Sequence, residues 1–333
     1  MQTKRYTQND LKEAAQQIEA GELVAFPTET VFGLGADATN DTAVKKIYQA
    51  KGRPSDNPLI VHIATICDAQ KFVKSIPPQA RQLMDAFWPG PLTLILQSSG
   101  IAAPTVTAGL DTVGIRMPAH PVALAFIRAC HVGLAAPSAN LSGRPSPTMA
   151  QHVYDDLQGK IAGIIEADDL EVGVESTVID ITSDRPTILR PGGITQEAIE
   201  AVIGPIRGFE ENQNMTKGPK APGMKYQHYA PNVPVWMVED FDQALREFSD
   251  KKIGLLAKEE IISRYQNEPT LMASVSLGKA ADIESANATF YKGLRTLEQA
   301  AVDVILAQVF PAKGAGVAYM NRLSKASGGK IIK

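Results

Sequence analysis

Phe26-Pro27-Thr28-Glu29-Thr30-Val31-Phe32-Gly33-Leu34-Gly35 is the stretch from which the fold can be read. Leu23-Val24-Ala25-Phe26 is a run of buried-strand type, and Pro27, which has no amide hydrogen, ends its ladder. Two threonine hydroxyls and a carboxylate follow at once, and Gly33 and Gly35 are expected to permit tight backbone geometry. Polar groups crowded at the carboxyl end of a buried strand mark the ligand side of an open α/β sheet. About twenty residues on, Lys51-Gly52-Arg53-Pro54-Ser55-Asp56-Asn57-Pro58-Leu59 places two cations, a hydroxyl and an amide in a turn-rich segment. Together the two segments read as a site for a small polar anion.

Helix and strand patterns alternate outward from there. Leu11, Ala14, Ala15 and Ile18 share a helical face that Gly21 ends; Val44, Ile47 and Ala50 share another. Residues 59–63, 92–96, 113–117, 161–166, 176–181 and 187–190 read as strands. Residues 121–131 read as a helix opened by proline, and Thr195 caps a helix running to about Ile203. The connections mix helical crossovers with short returns. This predicts an α/β fold with a twisted mixed β-sheet flanked by helices. Residues 208–234 hold Pro219, Pro222, Pro231 and Pro234 and few aliphatics, so they read as a linker. Lys225, Tyr226, His228 and Tyr229 are odd in a spacer, and connections this long are often lids. Residues 235–333 resume α/β patterning as a second, smaller Rossmann-like domain. Strands are expected at 235–238 and 253–257, and a long amphipathic helix over 286–309.

Composition narrows the function. The 333 residues are 44% hydrophobic and 21% charged, ordinary for a globular protein with ample core. With 33 basic against 36 acidic residues, the net charge of −3 argues against a broad nucleic-acid-binding surface. Cys67 and Cys130 form no disulfide framework or metal pattern, which fits a reducing cytoplasm. No signal-peptide core or membrane-length apolar run is present. There is no GxxxxGK[ST], no complete dinucleotide fingerprint, no paired histidines at zinc spacing and no GxSxG elbow.

The remaining motifs each admit two readings. Lys51 and Arg53 are surface charges or, pinned by Pro54, Asn57 and Pro58, a preorganised anion site. Ala136-Pro137-Ser138-Ala139-Asn140-Leu141-Ser142-Gly143 is a serine-rich turn or a set of uncharged hydrogen-bonding groups for a nucleotide. Thr112 and Arg116 share a strand face, and Arg116 is a rim salt bridge or the partner of a substrate carboxylate. His62, in an apolar strand, reads as a core histidine.

The ordered set Pro27-Thr28-Glu29-Thr30-Val31-Phe32-Gly33-Leu34, Lys51-Gly52-Arg53, Ser138-Ala139-Asn140, Glu175-Ser176-Thr177 and Arg190-Pro191-Gly192 resembles the L-threonylcarbamoyladenylate synthase (YrdC-like) family. Pro222-Gly223-Met224-Lys225-Tyr226, His228-Tyr229-Ala230-Pro231 and Asn321-Arg322-Leu323 resemble its two-domain form. The sequence departs from the family at Phe32, where tyrosine is common. The resemblance implies a YrdC-like catalytic domain over 1–207, a linker or active-site lid over 208–234 and a C-terminal domain over 235–333. It implies a nucleotidyltransferase that joins L-threonine, bicarbonate and ATP into threonylcarbamoyl-AMP and pyrophosphate, for threonylcarbamoyladenosine modification of tRNA. Threonine would contact Thr30, His62, Arg116 and Ser176. ATP would contact Arg53, Asn57, Thr112, Ala136, Ser138, Ser146, Arg190 and Tyr229. Lys51, Arg53, Ser138 and Asn140 would be catalytic. Mg2+ would ride on the ATP phosphates, with no protein metal site and no organic prosthetic group. Downstream tRNA-modifying proteins would receive the product. Two rivals stand beside this reading: a non-catalytic RNA-binding protein, and a carbamoyl-transfer enzyme of hydrogenase maturation, which would call for zinc-finger cysteines.

Overall fold

The structure is a computed structural model that describes residues 2–167, 170–209, 211, 229–279 and 282–333. The expected lid residues Lys225, Tyr226 and His228 lie outside the described residues. The chain divides into two compact units. One comprises Met1–Ser142, Pro147–Glu171 and Glu175–Lys225; the other comprises Gly143–Ser146, Val172–Val174 and Tyr226–Lys333.

The first unit carries ten described strands. These are β1 (Lys4–Tyr6), β2 (Val24–Phe26), β3 (Gly33–Asp37), β4 (Ile60–His62), β5 (Leu92–Gln97), β6 (Thr112–Arg116), β7 (Leu134–Ala135), β8 (Gly163–Ile165), β9 (Thr177–Asp180) and β10 (Thr187–Arg190). They form one sheet in the order β1-β8-β2-β3-β7-β4-β6-β5-β9-β10. The pairs β1–β8, β2–β8, β4–β6 and β5–β9 are parallel and the rest antiparallel, so the sheet is mixed as predicted.

Strand alternation splits the core between the two faces. Leu23 and Ala25 join one cluster, with Val44, Ile47, Leu83 and Ile199 of the helices on that side. Val24 and Phe26 join the other, with Ala14, Ala15 and Ile18 of the helix Leu11–Glu19 and Phe126 of the helix Pro121–Cys130. The sequence-read helix boundaries hold at these places. Thr195 Oγ1 accepts from Ala198 N at the start of Gln196–Ile203, and Gly52 closes Asp41–Lys51 in the left-handed region at φ 62°.

Strand β3 was not expected. Gly33 and Gly35 lie in it as extended residues, so their role is not a tight turn. A Cβ on Gly33 would meet Phe26 Cζ at 3.2 Å, and one on Gly35 would meet Phe26 Cε1 at 3.0 Å. The two glycines make room for the Phe26 ring across the β2–β3 ladder.

The second unit is a parallel sheet of β11 (Val235–Val238), β12 (Ile253–Ala257), β13 (Leu271–Ser276), β14 (Val304–Gln308) and β15 (Ile331–Ile332), in the order β13-β12-β14-β11-β15. The long helix expected over 286–309 is corrected. The helix is Ile283–Gln299, and Val304–Gln308 is a central strand paired with both β11 and β12. An apolar run buried on both sides of a parallel sheet carries no period that separates it from a helix. Ala301, at φ 54°, turns the chain between the two.

Candidate active site

The loop 27–32 leaves β2 and returns into β3, and its own hydroxyls hold its shape. Thr28 Oγ1 accepts from the backbone N–H groups of Thr30 and Val31 and donates to Val31 O. The 2.8 Å contact between the Thr28 and Thr30 hydroxyls is then donated by Thr30. That leaves Thr30 Oγ1 to accept from Arg116 Nη1 at 3.0 Å.

Parallel pairing sets His62 opposite Arg116 at the carboxyl ends of β4 and β6. Arg116 is buried, its Nη2 is 2.6 Å from Glu29 Oε1, and its Nε donates to Gly90 O at 3.4 Å. The Nη2–H is not aimed at the carboxylate. Arg116 Nη2 and both Glu29 oxygens are buried without a hydrogen-bond partner among the described residues, so the pair is close but poorly aligned. Burial, reinforced by the Arg116 charge, lowers the His62 pKa to about 3, so the ring is neutral near pH 7. Its Nδ1 lies 3.3 Å from Ile60 O, and Phe26 packs edge-on against it.

Ser176 precedes β9. Its hydroxyl lies 2.8 Å from Thr93 Oγ1 and accepts from Arg190 Nη2 at 3.1 Å, while Arg190 Nε and Nη2 also donate to Ser176 O. A register shift between Ile188 and Arg190 marks the end of the β9–β10 pairing. The Pro191-Gly192 turn then passes so close to residues 175–177 that no side chain fits at Gly192.

Lys51 is buried, and its Nζ donates to the carbonyls of Ser138 and Asn140. The same loop is tied by Ser142 N to Lys51 O, Ala139 N to Phe32 O and Leu34 N to Pro137 O. The lysine expected in an anion site therefore organises the Ser138–Asn140 turn. Asn140 Nδ2 donates to Leu141 O, and the Ala136 N–H goes to Ile60 O. Beyond the Gly52 cap, Arg53 Nη2 reaches the carbonyls of Asn57 and Pro58 at 3.4 Å. Asn57 is buried, yet its amide nitrogen and oxygen have no hydrogen-bond partner among the described residues. Such an amide is suited to a ligand.

The strand ends thus bring Thr30, His62, Arg116 and Ser176 into one buried polar region, with Arg190 bonded to Ser176. Thr112 is not part of it. It starts β6 while Arg116 ends it, and at about 3.3 Å per residue the two are far apart. Thr112 instead lines a small cavity with Pro58, Val106 and Thr107. Ser146 and Tyr229 belong to the second unit. There Tyr229 is buried at φ 71°, with its ring 5.3 Å from that of Tyr291 and the Arg322 guanidinium carbon 5.7 Å from its centroid. Motif reading assigned no role to Glu29, Thr93 or Gly192. The signal for Glu29 was present, a carboxylate between two threonines; nothing in the sequence marks Thr93.

Comparison with known proteins establishes the family. The family model described as telomere recombination, covering Sua5, YciO and YrdC, matches residues 16–192, and that of the threonylcarbamoyl-AMP synthase C-terminal domain matches residues 194–328. The threonylcarbamoyl-AMP synthase of Bacillus subtilis is 49% identical, the alignment covering 97% of this chain and 94% of that protein. The chain belongs to the threonylcarbamoyl-AMP synthase family. Its relative from Pyrococcus abyssi is 48% identical over 96% of this chain and 94% of its own length. The crystal structure of P. abyssi Sua5 complexed with L-threonine superposes with a TM-score of 0.90 at 44% identity, covering 99% of each chain. Among the described residues, no helix is long and apolar enough to cross a membrane.

Proposed function

We propose that this chain joins L-threonine, bicarbonate and ATP into L-threonylcarbamoyl-AMP, releasing pyrophosphate, and so supplies the threonylcarbamoyl group for tRNA modification in the cytoplasm. The observation that carries the reading is the buried Thr30–Arg116–His62–Ser176 constellation in a fold shared over 99% of the chain with a relative crystallised with L-threonine.

The reaction has two steps. The threonine amine forms a carbamate with bicarbonate, losing water. A carbamate oxygen then attacks the α-phosphorus of ATP, and pyrophosphate departs. No side-chain nucleophile is needed, because both steps depend on holding anions together and stabilising charge. Arg116 would receive the threonine carboxylate, whose two oxygens suit a guanidinium. Thr30 and Ser176 offer hydroxyls to the same substrate, and neutral His62 adds no second cation. Arg53, Asn57, Thr112, Ala136, Ser138, Ser146, Arg190 and Tyr229 are the ATP set. Lys51 and Asn140 shape the loop that presents Ser138. Among the described residues no three His, Cys, Asp or Glu side chains group to hold a metal. Mg2+ would be held through ATP oxygens and water, where it would screen phosphate charge. We assign the catalytic domain to residues 1–207, a linker or active-site lid to 208–234 and the C-terminal domain to 235–333.

The test is pyrophosphate release with each substrate omitted in turn. Release that needs both threonine and bicarbonate is expected. Equal turnover without threonine overturns the assignment, and salt-sensitive RNA affinity without any release would favour an RNA-binding protein instead.

A further inference from the structure

We propose that Glu29 is a catalytic residue of this site: its carboxylate binds the α-ammonium of threonine and takes a proton from it as the carbamate forms. The inference rests on the threonine-dependent reading above and adds to it the group that handles the amine.

The starting observation is a buried carboxylate with nothing donating to it. The Glu29 side chain is 6% exposed, and neither oxygen accepts a hydrogen bond from a described residue. An ionised carboxylate offers about four acceptor positions and is costly to bury unfilled. The hydroxyls on either side of it in the sequence are committed elsewhere, Thr28 to Val31 O and Thr30 to Thr28. The Arg116 cation lies 2.6 Å away but aims no N–H at it. An Arg–Glu pair of this kind is poor as a structural salt bridge, because the desolvation of the Glu29 carboxylate is offset by charge alone, while Arg116 also bonds Thr30 and Gly90.

The same arrangement is well matched to an α-amino acid. Threonine carries a carboxylate and an ammonium on one carbon, so its opposite charges sit side by side. Arg116 and Glu29 present the complementary charges side by side, with Thr30 bonded to Arg116. The carboxylate of threonine takes the guanidinium, and the three N–H donors of the ammonium face the empty acceptors of Glu29.

Chemistry asks for a base at this place. The ammonium has no lone pair and cannot attack carbon. As the N–C bond forms to bicarbonate, nitrogen sheds two protons. One joins the hydroxide that leaves the bicarbonate carbon and departs as water. The other goes to Glu29, which later releases it to solvent.

The experiment compares threonine with (2S,3R)-2,3-dihydroxybutanoate, which has a hydroxyl in place of the ammonium, by calorimetry on the full chain. Wild type is expected to prefer threonine by on the order of a hundredfold. Glu29→Gln, checked by its melting curve, is expected to lose most of that preference while still binding the hydroxy acid and ATP. Equal wild-type affinity for the two ligands overturns the assignment without any variant. So does a folded Glu29→Gln that keeps the full preference. If pyrophosphate release still depends on threonine in either case, only the Glu29 role falls. If wild type neither binds threonine nor needs it for release, the functional reading falls and the Glu29 role with it.

Discussion

Gly192→Ala is the substitution whose consequence can be worked most directly from geometry. An ideal Cβ at Gly192 would lie 2.3 Å from Glu175 O, 2.3 Å from Thr177 N and 2.4 Å from Ser176 C. All three are backbone atoms, so no rotamer change relieves the clash. Ordinary contact begins near 3.4 Å, and the two segments must therefore separate by about 1 Å. The segment displaced carries Ser176, whose hydroxyl is held by Thr93 and Arg190. A misplacement of about 1 Å in a positioning group can cost on the order of a hundredfold in rate. Overpacking of this kind also costs about 1–3 kcal/mol of stability. Turnover should therefore fall by roughly two orders of magnitude in a protein that still folds. The assay is pyrophosphate release beside urea denaturation. Gly114→Ala is the control. It lies on the strand that carries Arg116, but its Cβ would meet only side-chain atoms, Ile95 Cδ1 at 3.2 Å, Ile60 Cγ1 at 3.4 Å and Thr93 Cγ2 at an ordinary contact distance of 3.5 Å. It should cost less than about 1.5 kcal/mol and leave turnover near wild type. Wild-type activity and stability in Gly192→Ala would refute the claim that this contact fixes Ser176.

Three further outcomes follow from the site. Lys51→Met keeps the aliphatic stem and removes the ammonium that holds two carbonyls of the Ser138–Asn140 turn; it should lose about 2–4 kcal/mol of stability in urea and weaken ATP binding, and an unchanged denaturation midpoint would show that the turn is held by other means. Arg116→Ala should cost threonine affinity about 2–5 kcal/mol and ATP affinity far less, with Arg53→Ala showing the opposite order by calorimetry; equal losses for both ligands in both variants would separate these residues from the proposed roles. The folded His62 pKa is depressed to about 3 from an ordinary 6.5, so the unfolded chain binds the extra proton between those values, and stability present above pH 6.5 is lost as pH falls toward 3, by up to about 1.4 kcal/mol per pH unit. Denaturation of His62→Gln should show a shallower acid slope than wild type, and parallel slopes would mean that His62 does not titrate with unfolding.

Legibility followed the kind of signal each element carries. The strand-then-polar-loop break at Phe26–Pro27 was plain because a proline and three polar side chains interrupt an apolar run. Caps were equally plain: Gly52 and Thr195 end and start helices where chain chemistry requires it. Strand β3 was hidden because its glycines, read as turn formers, serve a ring on the neighbouring strand. Strand β14 was hidden because an apolar run buried on both sides has no alternation to show. The site residues were named by their motifs, but their partners were not. No local pattern reveals that Lys51 reaches 87 and 89 residues along the chain, or that Thr93 meets Ser176. Those pairings arise only when β5 lies beside β9 and the 138–140 turn crosses the end of the helix Asp41–Lys51.

The distribution of these contacts bears on how the site would work. Most of its cations are already engaged with the protein. Lys51 holds carbonyls, and Arg190 holds Ser176. Charges fixed in this way need little reorganisation when an anion arrives, which is the condition under which electrostatic stabilisation is largest. Arg116 is engaged only in part: its Nη1 and Nε are bonded to Thr30 and Gly90, while its Nη2 faces Glu29 without an aligned hydrogen bond. A buried pair left in that state gains from a ligand able to bond both partners at once, and a zwitterion does so without changing the net charge of the pocket. On the proposed reading, this poorly satisfied contact is where an amino acid would add binding. The same poor alignment that weakens the Arg116–Glu29 bridge as a structural element would, on the proposed reading, make it selective for a substrate with both charges on one carbon.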